Sequence, residues 1–270
     1  MRVTRTLSLA ALTVLELSPV EMVRCAAAAG YSHVGLRLLP ATPDEPVWDM
    51  VGDTPMVREV AAALRETGVQ VLDVEILRLK PDTDVRTYTA MLETGARLGA
   101  RHVLVAGNDP DEERLTANLA ALCALAAPLS LDIYLEPMPW TDVRDFTQAA
   151  QLVERTGQPN AGVLIDPIHF DRAGNKAAQI AAVPAARLAY LQFCDAPVER
   201  PGDLHGLLNQ ARAERRLPGE GGLDLRGILC AAPADAPLSL EIPMRSCGLP
   251  ACERALLALQ ATQRFIAGHP

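Results

Sequence analysis

Two kinds of apolar run alternate along this chain, short ones rich in branched residues and longer ones rich in alanine and leucine, with glycine, proline or polar clusters between them. The short runs are TLSLA (6 to 10), HVGLRL (33 to 38), VQVLDVEIL (69 to 77), HVLVAG (102 to 107), LDIYLEP (131 to 137), GVLIDP (162 to 167), LAYLQFCD (188 to 195) and LSLEIP (238 to 243). Their length and composition predict eight strands. The longer runs carry helix punctuation. SPVEMVRCAAAAG has Ser18 as N-cap, Pro19 at the first helical position and Gly30 as stop, and TPMVREVAAALRETG repeats the device from Thr54 to Gly68. Further helices are predicted over residues 84 to 98, 111 to 127, 143 to 156, 174 to 182, 224 to 232 and 250 to 267.

Strands that alternate with helices imply a parallel sheet. Eight such units in 270 residues are what a closed (β/α)8 TIM barrel needs, whereas an open doubly wound sheet usually has fewer strands. No G-x-G-x-x-G follows the first strand and no G-x-x-x-x-G-K-[ST] occurs, so neither a dinucleotide fold nor a P-loop is indicated. The expected architecture is therefore α/β, a single barrel domain over residues 1 to 270 with no internal linker. The stretch from Ala196 to Gly222 reads as its longest insertion, a loop at the end where barrels carry their sites.

Composition narrows the partners. A formal net charge of -8, two lysines (Lys80 and Lys176) and arginines scattered along the sequence disfavour contact with a phosphate backbone, so no nucleic-acid partner is expected. The six cysteines, Cys25, Cys123, Cys194, Cys230, Cys247 and Cys252, form no C-x-x-C pair and lie mostly in Ala/Leu-rich stretches. That pattern reads as reduced, small apolar residues in a reducing, cytoplasmic compartment. MRVTRTLSLAALTVLELSP superficially suggests a secretory signal, but its polar interruptions and missing cleavage site favour a first strand and loop. No run approaches the ~20 uninterrupted apolar residues of a membrane span.

In a barrel, chemistry sits where the C-terminal strand ends converge. There the sequence places Glu75, Glu136, Asp166, Gln192 with Asp195, and Glu241. Hard divalent cations favour oxygen donors, and Glu136, Asp166, Gln192 and Glu241 supply four from consecutive strands. Each also has a plainer reading. Glu75 alone is more readily explained as solvated or paired with an arginine, Asp166 as the cap of a turn at Pro167, and the Asp166-x-x-His169 pair as a structural hydrogen bond. Trp48 and Trp140 fall in loops after strands; Trp140 could wall a substrate or anchor its loop. The argument rests on the set.

Taken together, LSLAALTVLELSPVEMVRCAAAAGYSHVGLRL, YLEPMP, VLIDPIHF, YLQFCDAP, LPGEGGLDLRGIL and LSLEIP resemble the xylose-isomerase-like barrels, a family of sugar isomerases, epimerases, sugar-acid dehydratases and endonuclease IV. The resemblance implies a divalent metal held by Glu136, Asp166, Gln192 and Glu241, with glutamine where a histidine is commoner. The hydroxypyruvate isomerase branch looks similar at this point and, like this chain with Asp195, Pro197, Arg200, Gly219 and Glu220, follows the glutamine with Asp, Pro, Arg and a Gly-Glu segment. It implies catalytic roles for Glu136 and Glu241 and substrate contacts from His169 and Arg200, with Glu75 and Trp140 as further candidates. The neutral amide ligand favours Mn2+ or Mg2+ over Zn2+. The implied activity is isomerisation or epimerisation of a small sugar, ketose or hydroxy-keto acid through an enediolate. The alternatives are a dehydratase of the inosose or dehydroshikimate type, or a sugar-binding barrel without catalysis. The zinc nucleases of the family need many histidines. The five here are spread over separate units, which argues against DNA repair. Homo-oligomer formation is left open.

Overall fold

Eight strands form on the eight apolar runs: β1 (Leu7–Ala10), β2 (His33–Arg37), β3 (Gln70–Leu79), β4 (His102–Gly107), β5 (Asp132–Glu136), β6 (Ala161–Val163), β7 (Leu191–Phe193) and β8 (Leu238–Leu240). This computed structural model describes residues 5 to 268; the first four residues, where the signal-like stretch begins, and the last two, including His269, lie outside the described residues. All strand pairs are parallel, in the order β6-β5-β4-β3-β2-β1-β8-β7. A parallel bridge between Ile165 and Leu191 brings the two ends of this sheet together. The expected (β/α)8 barrel is formed.

The helices are α1 (Pro19–Ala29), α2 (Pro55–Thr67), α3 (Thr89–Arg97), α4 (Glu112–Ala126), α5 (Phe146–Arg155), α6 (Pro167–Arg172), α7 (Ala177–Ala181), α8 (Leu204–Arg212), α9 (Leu225–Ala231) and α10 (Ala251–Ala267). Their ends follow the capping chemistry. The Ser18 side chain accepts from the Glu21 amide while the Glu21 carboxylate accepts from the Ser18 amide, and Gly30 closes α1 at φ 96°. The Thr54 side chain accepts from the Val57 amide at the start of α2. No helix among the described residues is long and apolar enough to cross a membrane.

Three expectations need correction. The Ala196–Gly222 insertion is not all loop: Asp203 caps α8 through the Gly206 amide. Its helical pattern was masked by flanking glycine and proline and by exposed apolar residues such as Leu204. α6 was also missed, because Asp166 ends a strand run and caps a helix at once, accepting from the Ile168 amide. Thirdly, the cysteines are not all reduced. Cys25 of α1 and Cys252 of α10 form a disulfide with their Cα atoms 5.4 Å apart, while Cys123, Cys194, Cys230 and Cys247 are free. Partners separated by 227 positions meet only because the last helix packs on the first, and no local spacing motif announces that.

The apolar interior has two parts. A large cluster fills the layer between sheet and helices, and a smaller one, including Leu104, Tyr134, Leu164 and Tyr190, fills part of the barrel. The remaining interior is polar: Ser8 and Ser239, paired in register across β1 and β8, and Asp73 of β3 are buried. At the β6–β7 side Gly162 leaves room for the Tyr134 ring; a Cβ there would stand 2.4 Å from that ring and 2.8 Å from the Arg187 carbonyl oxygen. Gly162→Ala is therefore expected to destabilise the fold by about 1–3 kcal/mol through overpacking, read as a lower Tm. Gly202→Ala, where a Cβ meets nothing within 4 Å, should leave Tm unchanged.

Candidate functional site

Strand ends bring Glu136 and Asp166 within metal-binding distance of each other and of His169, while Glu241 falls outside that group. Glu136 ends β5, Asp166 caps α6 just beyond β6, Gln192 is the central residue of β7 and Glu241 follows β8. All four are buried, as is His169 on α6. Glu75, Glu136, Trp140, His169, Gln192 and Glu241 line one cleft at the strand ends. Carboxylate and ring-nitrogen atoms of Glu136, Asp166 and His169 lie within 4.8 Å of one another. The Gln192 amide donates to Glu241 Oε1 at 3.0 Å, while its own Oε1 is buried without a hydrogen-bond partner. The Glu136, Asp166 and His169 group, with the unpartnered buried amide oxygen of Gln192 lining the same cleft as Glu136 and His169, is a donor set that suits a divalent cation. The residues present thus fit the metal that the sequence implies.

Sequence reading overlooked the arginines. Arg215, in the segment after α8, is buried and donates from Nη1 to Asp166 Oδ2 and from Nη2 to Glu241 Oε2, both at 2.7 Å. Its Nε donates to the Ala211 carbonyl and its amide to the Pro243 carbonyl. Arg37 donates from Nε and Nη2 to Glu75 Oε1 and from Nη1 to both oxygens of Glu45. Glu75 thus has the arginine partner of its plainer reading, and it also faces the cleft. Arg78 and Arg212 complete the lining. Arg37 and Arg78 could have been found by the rule that found the carboxylates, since both lie toward strand ends. Arg212 and Arg215 lay in the insertion read as loop.

The loop after β7 is built by Asp195. Its carboxylate accepts from the backbone amides of Ala196, Gly219, Gly221 and Leu223, and its backbone exchanges both hydrogen bonds with Arg216. A Cβ on residue 221 would stand 2.2 Å from Asp195 Oδ1, which is why glycine is needed there. Asp195 thus sets the turn that presents Arg215. Arg200 is exposed and is not among the cleft-lining residues. Trp48 lines a neighbouring pocket with Leu38 and Pro46. On the other side Thr13 brackets Glu241, its hydroxyl donating to the Leu240 carbonyl at 2.7 Å and accepting from the Ile242 amide at 2.8 Å.

Burial separates the acids. Burial, with Glu241 and Asp166 nearby, holds the Glu136 carboxyl well above the ordinary carboxylate range. Burial, together with Glu75 and Asp166, pushes Glu241 up to about 8 despite Arg215. Burial also works against the Asp166 carboxylate, but Arg215 and the Ile168 amide keep it below its usual value. His169 is pushed down to about 4 by burial, so its contacts of 3.5 Å to Glu136 and 3.6 Å to Asp166 belong to a neutral imidazole rather than to an ion pair. Asp166 is therefore the fixed charge, Glu241 can hold a proton near neutrality, and burial favours the protonated form of Glu136.

A raised folded-state pKa contributes stability that is complete at low pH and lost as pH rises through the folded value. For Glu241 that window runs from 4.5 to about 8. Without added metal, wild-type protein should lose Tm relative to Glu241→Gln across this window, measured by thermal melts at its two ends; a pH-independent difference would contradict the assignment.

The family model described as xylose isomerase-like TIM barrel matches residues 23–266. The 3-dehydroshikimate dehydratase of Pseudomonas aeruginosa is 33% identical over 162 residues, 58% of this chain and 25% of that protein. Among solved structures, a xylose isomerase-like TIM barrel/4-hydroxyphenylpyruvate dioxygenase fusion protein is 22% identical with a TM-score of 0.79, covering 96% of this chain and 42% of its own. The IOLI protein, solved with a zinc atom bound, is 20% identical with a TM-score of 0.80, covering 98% and 99%. The chain thus spans a quarter of the curated relative's length and less than half of the fusion protein's. On the family match, this chain belongs to the xylose isomerase-like TIM barrels.

Proposed function

We propose that this barrel, acting as one domain, is a divalent-metal-dependent lyase that removes water from a small hydroxylated ketone, with Mn2+ or Mg2+ held by Glu136, Asp166, Gln192 and Glu241. The observation that carries the reading is the pair of buried, protonatable carboxyl groups, Glu136 and Glu241, lining one cleft, with the fixed charge of Asp166 behind it, close to Glu136 and joined to Glu241 through Arg215. The partial likeness to the dehydratase favours loss of water as the outcome.

When bound, the metal supplies Lewis-acid stabilisation of charge developing on a carbonyl oxygen. The protein groups move the protons. Glu241, ionised, takes the proton on the carbon beside the carbonyl, and the C–H electron pair becomes the new C=C bond. Glu136, protonated, gives its proton to the β-hydroxyl as the C–O bond breaks, so that water leaves. Neutral His169, with Nδ1 buried and unpartnered, orients a substrate oxygen. Isomerisation or epimerisation is the second reading: the same two carboxyl groups could return the proton to the neighbouring carbon or to the opposite face. That reading is favoured by both groups being held in a protonatable range.

Two measurements test these readings. Mn2+-loaded protein incubated with 3-dehydroshikimate, inososes and small ketoses should give a product lighter by one water, whereas a product of unchanged mass would select the isomerase reading. Glu241→Gln should lower kcat by about 10²–10⁴-fold with the fold intact; near wild-type turnover would remove the two-acid scheme. Separately, Mn2+ should raise Tm and EDTA reverse it, and Gln192→Ala should weaken Mn2+ binding by about tenfold or more in calorimetry.

A further inference from the structure

Four arginines line the cleft, Arg37, Arg78, Arg212 and Arg215, and only Arg37 and Arg215 are hydrogen-bonded to its carboxylates. Glu45 is taken by Arg37 and the Ala41 amide, and Glu75 by Arg37. Asp166 and Glu241 are taken by Arg215. Arg78, by contrast, donates only to neutral oxygens, Asn108 Oδ1 at 3.0 Å and the Ala41 carbonyl at 3.2 Å. The Arg212 guanidinium makes no hydrogen bond or ion pair with any described residue and lies over the Trp140 ring, 5.9 Å from its centroid. Trp140 Nε1 is itself buried with no acceptor. These three donor-only groups line the same cleft as Glu136 and His169.

Cations left this way are costly. Burial lowers the pKa of Arg78, offset in part by Glu136, with Arg212 and Arg37 adding to the lowering, and burial likewise lowers that of Arg212, offset in part by Glu45 and reinforced by Arg37. Glu136 and Glu45 act on them only through space, and no carboxylate among the described residues hydrogen-bonds either guanidinium, which leaves both forks open to an anion in the cleft. Two planar guanidinium forks and an indole N–H match the two in-plane oxygens of a carboxylate. We propose that Arg78, Arg212 and the Trp140 indole N–H form a carboxylate subsite, so that the substrate is a hydroxylated keto acid rather than a neutral sugar or inosose. The proposal rests on the cleft being the substrate site of the reaction above and adds what holds the non-reacting end of the substrate.

The test separates charge from shape and binding from turnover. Shikimate, a hydroxylated cyclohexene carboxylate without a ketone, and its methyl ester are titrated into Mn2+-loaded protein by calorimetry. The acid should bind at least about tenfold more tightly than the ester, the scale of one charge-assisted contact. Arg212→Gln and Arg78→Gln should each erase most of that preference while leaving Mn2+ affinity unchanged, and Arg212→Lys should retain part of it. Equal binding of acid and ester by the wild-type protein would overturn the subsite, as would an undiminished preference in Arg212→Gln. Inorganic phosphate displacing shikimate at equal concentration would overturn the carboxylate assignment. A preserved acid preference with no turnover of 3-dehydroshikimate would sustain the subsite and reject the proposed reaction.

Discussion

One guanidinium, that of Arg215, makes the rest of the site tenable. It sits between Asp166 and Glu241, side chains that arrive from opposite sides of the β7 strand, and it is buried with both. Removing one partner from such an arrangement typically costs about 3–5 kcal/mol, because the remaining charge stays buried and uncompensated. The segment that carries Arg215 is held accordingly. Its backbone bonds to Pro243 beyond β8, and the neighbouring Arg216 pairs with Asp195 beyond β7. The long insertion is thus part of the framework of the site as well as its cover.

Around that pair the charges divide into two populations. Glu45, Glu75 and Asp166 each have an arginine at hydrogen-bond distance, and they act as fixed counter-charges. Glu136 has none, and Glu241 shares its arginine while crowded by Glu75 and Asp166, so burial favours the protonated form of both. The arginines divide in parallel: Arg37 and Arg215 are spent on protein carboxylates, and Arg78 and Arg212 are not. Among the arginines, those matched within the protein build the cavity, and the unmatched ones remain available to a ligand.

Much of this architecture could be read from sequence because it rests on local chemistry. Ser18, Pro19 and Gly30 delimit α1 by capping alone, and the strand runs carry their polar residues at the barrel mouth because side-chain direction alternates along a strand. The carboxylates and Gln192 were legible for the same reason. What stayed hidden depends on tertiary partners. α8 begins just after its Asp203 cap in a stretch whose glycine, prolines and exposed leucine weaken any helical period, so Arg212 could not be assigned a face. Arg215 reads as one of many scattered arginines until the turn organised by Asp195 places it. The Cys25–Cys252 bond and the exposed position of Arg200 likewise follow from packing that no short window contains.

The circle of strands is not equally strong all the way round. β1 and β8 pair over three residues, and the helices flanking them are tied covalently by Cys25 and Cys252. β6 and β7 meet through the Ile165–Leu191 bridge, with Asp166 next to one side of it and Gln192 next to the other. A cation shared by Asp166 and Gln192 would therefore act as a mechanical clasp across the weakest join of the cylinder. The bridge already joins the wall without an ion, so loading the site would brace that join, and slower amide exchange along β6 and β7 would report occupancy from outside the cleft.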